Sequence, residues 1–110
     1  MEPRLKTALW LAALVRICNG QAIPCAVVRR GDGDAGAVLI KRNRLDGTFE
    51  VLGREADVRG GMLWRPLTGP APVAESVADA YIGRQTGRDP DLWVVEIEDR
   101  GGSFSLPAAG

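Results

Sequence analysis

Asp46-Gly47 lies between two apolar runs, and no other feature constrains the fold as much. Both positions favour positive φ, so the pair predicts a two-residue turn closing an antiparallel hairpin. Residues 37–44 form its first strand and residues 48–54 its second. A two-residue turn sets Leu45 opposite Thr48 and Asn43 opposite Glu50. Val38 and Ile40 then share a face with Phe49 and Val51, the expected core side. Lys41, Asn43 and Glu50 fall on the other face, together with Leu39 and Leu52.

The flanking segments read by the same rules. Residues 3–19 suit a helix, with Pro3 in its first turn and Gly20 just past its end. Leu5, Leu9, Trp10, Leu11, Leu14, Val15 and Ile17 cover most of its circumference, which predicts burial on more than one side. Residues 25–30 form a β-branched run and residues 31–36 a glycine-rich loop. Residues 62–67 read as a strand in which Pro66 marks an edge or an early stop. Residues 72–86 read as a second helix, with Val73, Val77, Ala80 and Tyr81 on one stripe and Gly87 and Pro90 ending it. Trp93, Val95 and Ile97 alternate through a last strand at residues 92–98. The expected fold is α+β, in the order α-β-β-β-β-α-β, a mostly antiparallel sheet with both helices packed on one face. Residues 1–110 are expected to make a single domain, ordered from about 3 to 100, with residues 101–110 a loose tail.

Composition sets bounds on function. At 110 residues, 45% apolar and 25% charged, the chain can build one core without staples. Net charge is zero, but residues 1–65 carry 11 Lys/Arg against 7 Asp/Glu and the remainder carries 3 against 7. A dedicated nucleic-acid surface would show a basic excess, so nucleic acid is not the favoured partner. There is no histidine, which excludes a Ser-His-Asp or Cys-His site and any histidine-ligated metal within the chain. Cys18 and Cys25 are expected to be reduced, small apolar fillers, since a zinc site needs about four ligands. The apolar run at residues 8–15 imitates a signal peptide but is far short of the roughly 20 residues that span a bilayer. Arg16 follows it with no good cleavage site, so a cytoplasmic protein with no membrane contact is expected.

Several motifs suggest chemistry. Gly31, Gly33 and Gly36 spell GxGxxG, but residues 37–40 continue as a strand, whereas a dinucleotide fingerprint needs a helix there. The glycines are expected to permit a tight hairpin loop. Asp32-Gly33-Asp34 opens like a calcium loop, yet its twelfth position is Asn43 inside a strand. Arg29, Arg30, Lys41, Arg42 and Arg44, with Asp32 and Asp34, form the candidate ligand-binding set. Against that stands cross-strand pairing of the cations with Glu50, Glu96 and Glu98. Glu96 and Glu98 share a strand face that reads as solvated. No catalytic, cofactor or metal-ligating residue is assigned.

Longer stretches carry a resemblance. Arg4-Leu5-Lys6-Thr7, Val27-Val28-Arg29-Arg30-Gly31-Asp32 and Asp34-Ala35-Gly36-Ala37-Val38-Leu39-Ile40-Lys41 are three of its blocks. Asn43-Arg44-Leu45-Asp46-Gly47 and Asp89-Pro90-Asp91-Leu92-Trp93-Val94-Val95-Glu96-Ile97-Glu98-Asp99 complete it. Together they resemble the alphaproteobacterial family named domain of unknown function 1491, over about residues 4 to 100. The resemblance implies a bacterial cytoplasmic protein and carries no catalytic residue across. The expected function is a non-enzymatic accessory or protein-interaction module, a homo-oligomer through its N-terminal helix or a binder of another protein. The alternatives are a binder of a phosphate-bearing ligand or RNA through the basic cluster, and a weak metal-dependent enzyme using the loop carboxylates.

Overall fold

The computed structural model describes residues 6–107. Along them run α1 (Thr7–Gly20), β1 (Cys25–Arg29), β2 (Val38–Asn43), β3 (Phe49–Ala56), β4 (Met62–Pro66), α2 (Glu75–Arg88), β5 (Trp93–Glu98) and a short 3-10 turn at Arg100–Gly102. The protein is thus α+β in the expected element order; the helix start expected at Pro3 lies outside the described residues. The strands form one sheet in the order β1-β5-β2-β3-β4, in which β5 runs parallel to β2 and every other neighbour is antiparallel. The apolar β5 takes the interior place between β1 and β2, where both of its faces are covered. Pro66 sits at the end of edge strand β4, the position a proline tolerates.

The β2–β3 register differs from the expected one by a residue. Asn43 stands opposite Phe49 and Ile40 opposite Leu52. The turn has three residues, closed by a bond from Arg44 N–H to the Thr48 carbonyl at 3.1 Å. Leu45 and Gly47 take positive φ, 61° and 88°. Two side chains hold the longer turn: Asn43 Oδ1 accepts the Leu45 N–H and Asp46 Oδ1 accepts the Thr48 N–H, each at 2.9 Å. A one-residue slip reverses every side chain. Phe49 and Val51 therefore lie on the face opposite Val38 and Ile40.

That reversal also moves a helix. The two helices were expected on one face; they cover opposite faces. Leu11, Leu14 and Cys18 of α1 pack on Val38, Ile40, Leu52, Trp93, Val95 and Ile97. On the other side α2 lays Ala78, Tyr81 and Ile82 against Leu39, Phe49, Val51 and Leu92. The physical reason is that β2, β3 and β5 are apolar on both faces, so a single helical layer would leave Leu39, Phe49 and Val51 in water.

Over residues 101–107 the chain is held to the fold rather than loose as expected, and the rest of the expected tail lies outside the described residues. Phe104 is buried in the α1-side core, its N–H bonded to both carboxylate oxygens of the buried Asp99 at 3.1 and 3.0 Å. The Trp64 indole N–H reaches the Pro107 carbonyl at 3.1 Å. Trp64 also packs against Trp10 of α1, with ring centroids 5.4 Å apart and planes tilted by 40°.

Candidate functional site

The glycine-rich loop works as an internal joint. A Cβ on Gly31 or Gly36 would collide with the Asp91 backbone, while Gly33 has only the Ala8 Cβ at 3.7 Å. Asp32 N–H donates to the Asp91 carbonyl, and the Trp93 indole N–H donates to the Asp32 carbonyl at 2.7 Å. The same loop completes the start of α1, whose first N–H groups lack partners within the helix. Gly33 and Asp34 carbonyls accept from Ala8 and Thr7 N–H, and the Thr7 hydroxyl donates to the Gly36 carbonyl at 2.8 Å. Asp32 Oδ2 accepts the Ala35 N–H, and Asp34 pairs with Lys6 at 3.6 Å. Gly31 and Gly36 permit close packing of two backbones, but the loop is not the expected hairpin, because β5 stands between β1 and β2.

The basic residues are placed apart. Parallel pairing of β2 with β5 sets Val38 beside Trp93 and Asn43 beside Glu98. Arg29 and Arg30 lie at the Trp93 end; Arg42 and Arg44 lie at the Glu98 end. Arg29 donates to the carbonyls of Pro90 and Leu92. Arg30 lies over the Trp93 ring, 5.9 Å from its centroid. Arg42 and Arg44 converge on Glu50 at 3.3 and 3.4 Å, and Arg42 also pairs with Asp99.

Lys41 faces α2 instead, 2.8 Å from both Glu75 and Asp79, 3.6 Å from Glu96, and over the Phe49 ring. Burial alone would lower its pKa. Hydrogen bonds to Asp79 and Glu75, with the charges of Asp79 and Glu96, hold it well above the ordinary lysine value. These contacts use the cations to join elements. Arg42 and Arg44 meet at one end of the sheet, Arg29 and Arg30 lie with Asp32 and Asp34 at the other, and Lys41 stands on the opposite face from Arg42.

The two thiols face each other. Cys18 is buried and Cys25 half-buried, and both are free. Burial, reinforced by the neighbouring Cys18, pushes the Cys25 thiol up to about 12. Among the described residues no three His, Cys, Asp or Glu side chains gather to hold a metal ion. No helix among them is long and apolar enough to cross a membrane.

Two features of α1 remain. Leu9 is 57% exposed and Ile17 39%, with exposed Ala13 between them at helical spacing. On the flank beside β1, α1 borders a slot of about 370 Å³ whose other walls come from Val27, Arg30 and Trp93. Arg30 was legible as a candidate; Trp93 read as core, and nothing singled out Ala8 and Ala12. Their spacing of four on one helix flank was the available signal.

The family model described as "Protein of unknown function (DUF1491)" matches residues 5–106. The crystal structure of a DUF1491 family protein from Caulobacter crescentus CB15 is similar, with a TM-score of 0.81 and 37% identity, covering 94% of this chain and 98% of that one. An NMR structure of a DUF1491 family protein from the same organism gives 0.80 at 37% identity, covering 97% and 96%. The solution structure of protein Atu0922 from A. tumefaciens gives 0.74 at 27% identity, covering 97% and 96%. No curated protein matches the chain.

Proposed function

The chain belongs to the DUF1491 family, and we propose that it is a non-enzymatic interaction module that pairs with a second copy of itself through the outer face of α1. The observation that carries this reading is the exposed stripe of Leu9, Ala13 and Ile17 on a helix whose opposite side is already buried through Leu11, Leu14 and Cys18. Contiguous apolar surface of this kind marks contact sites. The small Ala13 lets another helix approach closely, and Arg16 is the one charged residue of this outward turn. Covering what is still exposed of Leu9 and Ile17 would contribute roughly 1–1.5 kcal/mol per side chain. A second copy brings the same stripe in a two-fold contact, with the Arg16 side chain of each copy reaching past the apolar seam to water. The polar side chains support the same reading, because the ion pairs of Lys41, Arg42 and Arg44 tie elements together.

The test is solution mass by light scattering at high micromolar concentration. A dimer has twice the 11.8 kDa of one chain. Leu9→Lys with Ile17→Lys is expected to return it to one chain's mass with an unchanged circular dichroism spectrum. A strictly monomeric wild type at that concentration overturns the reading.

A further inference from the structure

The slot between α1 and β1 lies off the outer stripe. At 100° per residue, Ala8, Ala12 and Val15 occupy the α1 flank between the buried side and the Leu9–Ala13–Ile17 stripe. A volume of about 370 Å³ falls within the roughly 300–1,000 Å³ of small-molecule sites. The buried Leu11 and Trp93 lie deepest, Val15 and Val27 line the sides, and the two alanines keep the helix wall low. Trp93 is pinned by its indole bond to the Asp32 carbonyl, so this floor is formed in advance.

Arg30 is the one charged side chain among the described residues that line the slot. Its place there follows from a bulge in β1. Val27 pairs with Val95 and Arg29 with Val94, so Val28 is the extra residue. Without the bulge Val28 would pair with Val94, and Arg29 would stand opposite Trp93 and face α1. With it, Arg29 turns to the Pro90 and Leu92 carbonyls and Arg30 comes over Trp93. Among the described residues Arg30 has no carboxylate partner, and the nearby Asp32 and Asp34 are engaged by Ala35 N–H and Lys6.

We propose that this slot binds a small amphipathic monoanion, with an apolar chain or ring between α1 and β1 and a carboxylate on Arg30. The aliphatic and indole walls supply burial, and the guanidinium fork matches a carboxylate in two parallel bonds. An uncharged analogue keeps the first contribution and loses the second.

The test is a titration of ¹⁵N- and methyl-labelled protein with sodium decanoate below its micelle concentration, and in parallel with 1-decanol. Decanoate is expected to shift the Trp93 indole and the Val15 and Val27 methyls saturably, and to bind more tightly than decanol. Arg30→Gln is expected to weaken decanoate about tenfold and leave decanol unchanged. Ala12→Phe, at an exposed helical position, is expected to abolish the shifts with the circular dichroism spectrum retained. The Leu9→Lys with Ile17→Lys variant is expected to bind decanoate as the wild type does, which separates this site from self-association. Absence of saturable shifts, equal binding of decanoate and decanol, or shifts centred on Leu9 and Ile17 would each overturn the proposal.

Discussion

Lys41 and Arg42 are consecutive residues of β2 that bond across opposite faces of the sheet. The Lys41 ammonium lies 2.8 Å from Glu75 and Asp79 of α2, and the Arg42 guanidinium lies 3.3 Å from Glu50 and Asp99 on the α1 side. Two adjacent cations thereby fasten different layers to one strand.

Lys41→Met should loosen α2 before anything else. Ala78 is the one fully buried residue of that helix, so the Lys41 pairs are a large part of its attachment. Glu75 and Asp79 are more than half exposed and regain water when the ammonium is removed. The expected loss is therefore about 1–2 kcal/mol, well short of a fully buried broken pair. Urea unfolding measures the total. Native-state hydrogen exchange should show α2 amides opening faster while β5 amides keep their protection.

Substituting the glycines one at a time separates an internal joint from a phosphate cradle. Gly31→Ala and Gly36→Ala each drive a methyl into the Asp91 backbone, and a cost of about 2–3 kcal/mol is expected. Gly33→Ala meets the Ala8 Cβ at 3.7 Å, an ordinary contact, and should change stability by less than about 0.5 kcal/mol. Thermal unfolding of the three variants checks this order; a uniform effect would contradict it.

The elements were readable because glycine and proline punctuate them: Gly20, Asp46-Gly47, Pro66, and Gly87 with Pro90 lie at or near observed ends. The length of the turn was not readable. Asn43 and Asp46 decide it through side-chain bonds to Leu45 and Thr48, and the glycine signal alone favours the shorter form. That single residue carried Phe49, Val51 and the placement of α2 to the other face. The position of β5 between β1 and β2 rests on pairings more than fifty residues apart, which no local pattern records. Likewise Arg29 and Arg30 look equivalent in sequence, and only the Val28 bulge gives them different destinations.

Ala22 offers a gain in stability. Gly20 was expected just beyond the end of α1, yet it lies inside the helix and Ala22 takes the left-handed conformation, at φ 56°. Ile23 N–H then reaches back to the Cys18 carbonyl at 2.9 Å and closes the end. A non-glycine residue held there costs roughly 1–2 kcal/mol. Ala22→Gly should raise stability by about 0.5–1 kcal/mol, read as a higher urea midpoint with an unchanged slope.

Asp99 latches the C-terminal segment. Its carboxylate accepts the Phe104 N–H with both oxygens and pairs with Arg42, and the residue is 3% exposed. Asp99→Ala leaves that amide and guanidinium short of a partner away from water, at an expected cost of about 2–4 kcal/mol. Asp99→Asn keeps one acceptor oxygen and should cost less. Limited proteolysis should cut the alanine variant after Arg100 well before the wild type.

The thiols set how stability responds to alkali. The unfolded thiols ionise near 9.0; burial, with the charge and hydrogen bond of Cys18, moves Cys25 up to about 12, and burial also raises Cys18. A folded-state value above the unfolded one means that the contribution is complete below about 9 and is lost as pH rises through the folded value. Lys41 has the same sign, but its loss begins only above the unfolded lysine value of 10.5. The window from 9.0 to 10.5 therefore belongs to the thiols among these three groups. The wild-type urea midpoint should stay level from about pH 7 to 8.5 and decline across that window, with Cys25→Ala removing most of the decline. Alkylation by iodoacetamide at about pH 8 should be slower in the folded protein than in urea, because the thiolate is the reacting form and folding suppresses it. Equal declines in wild type and Cys25→Ala would mean that the buried thiols are not what folding keeps protonated.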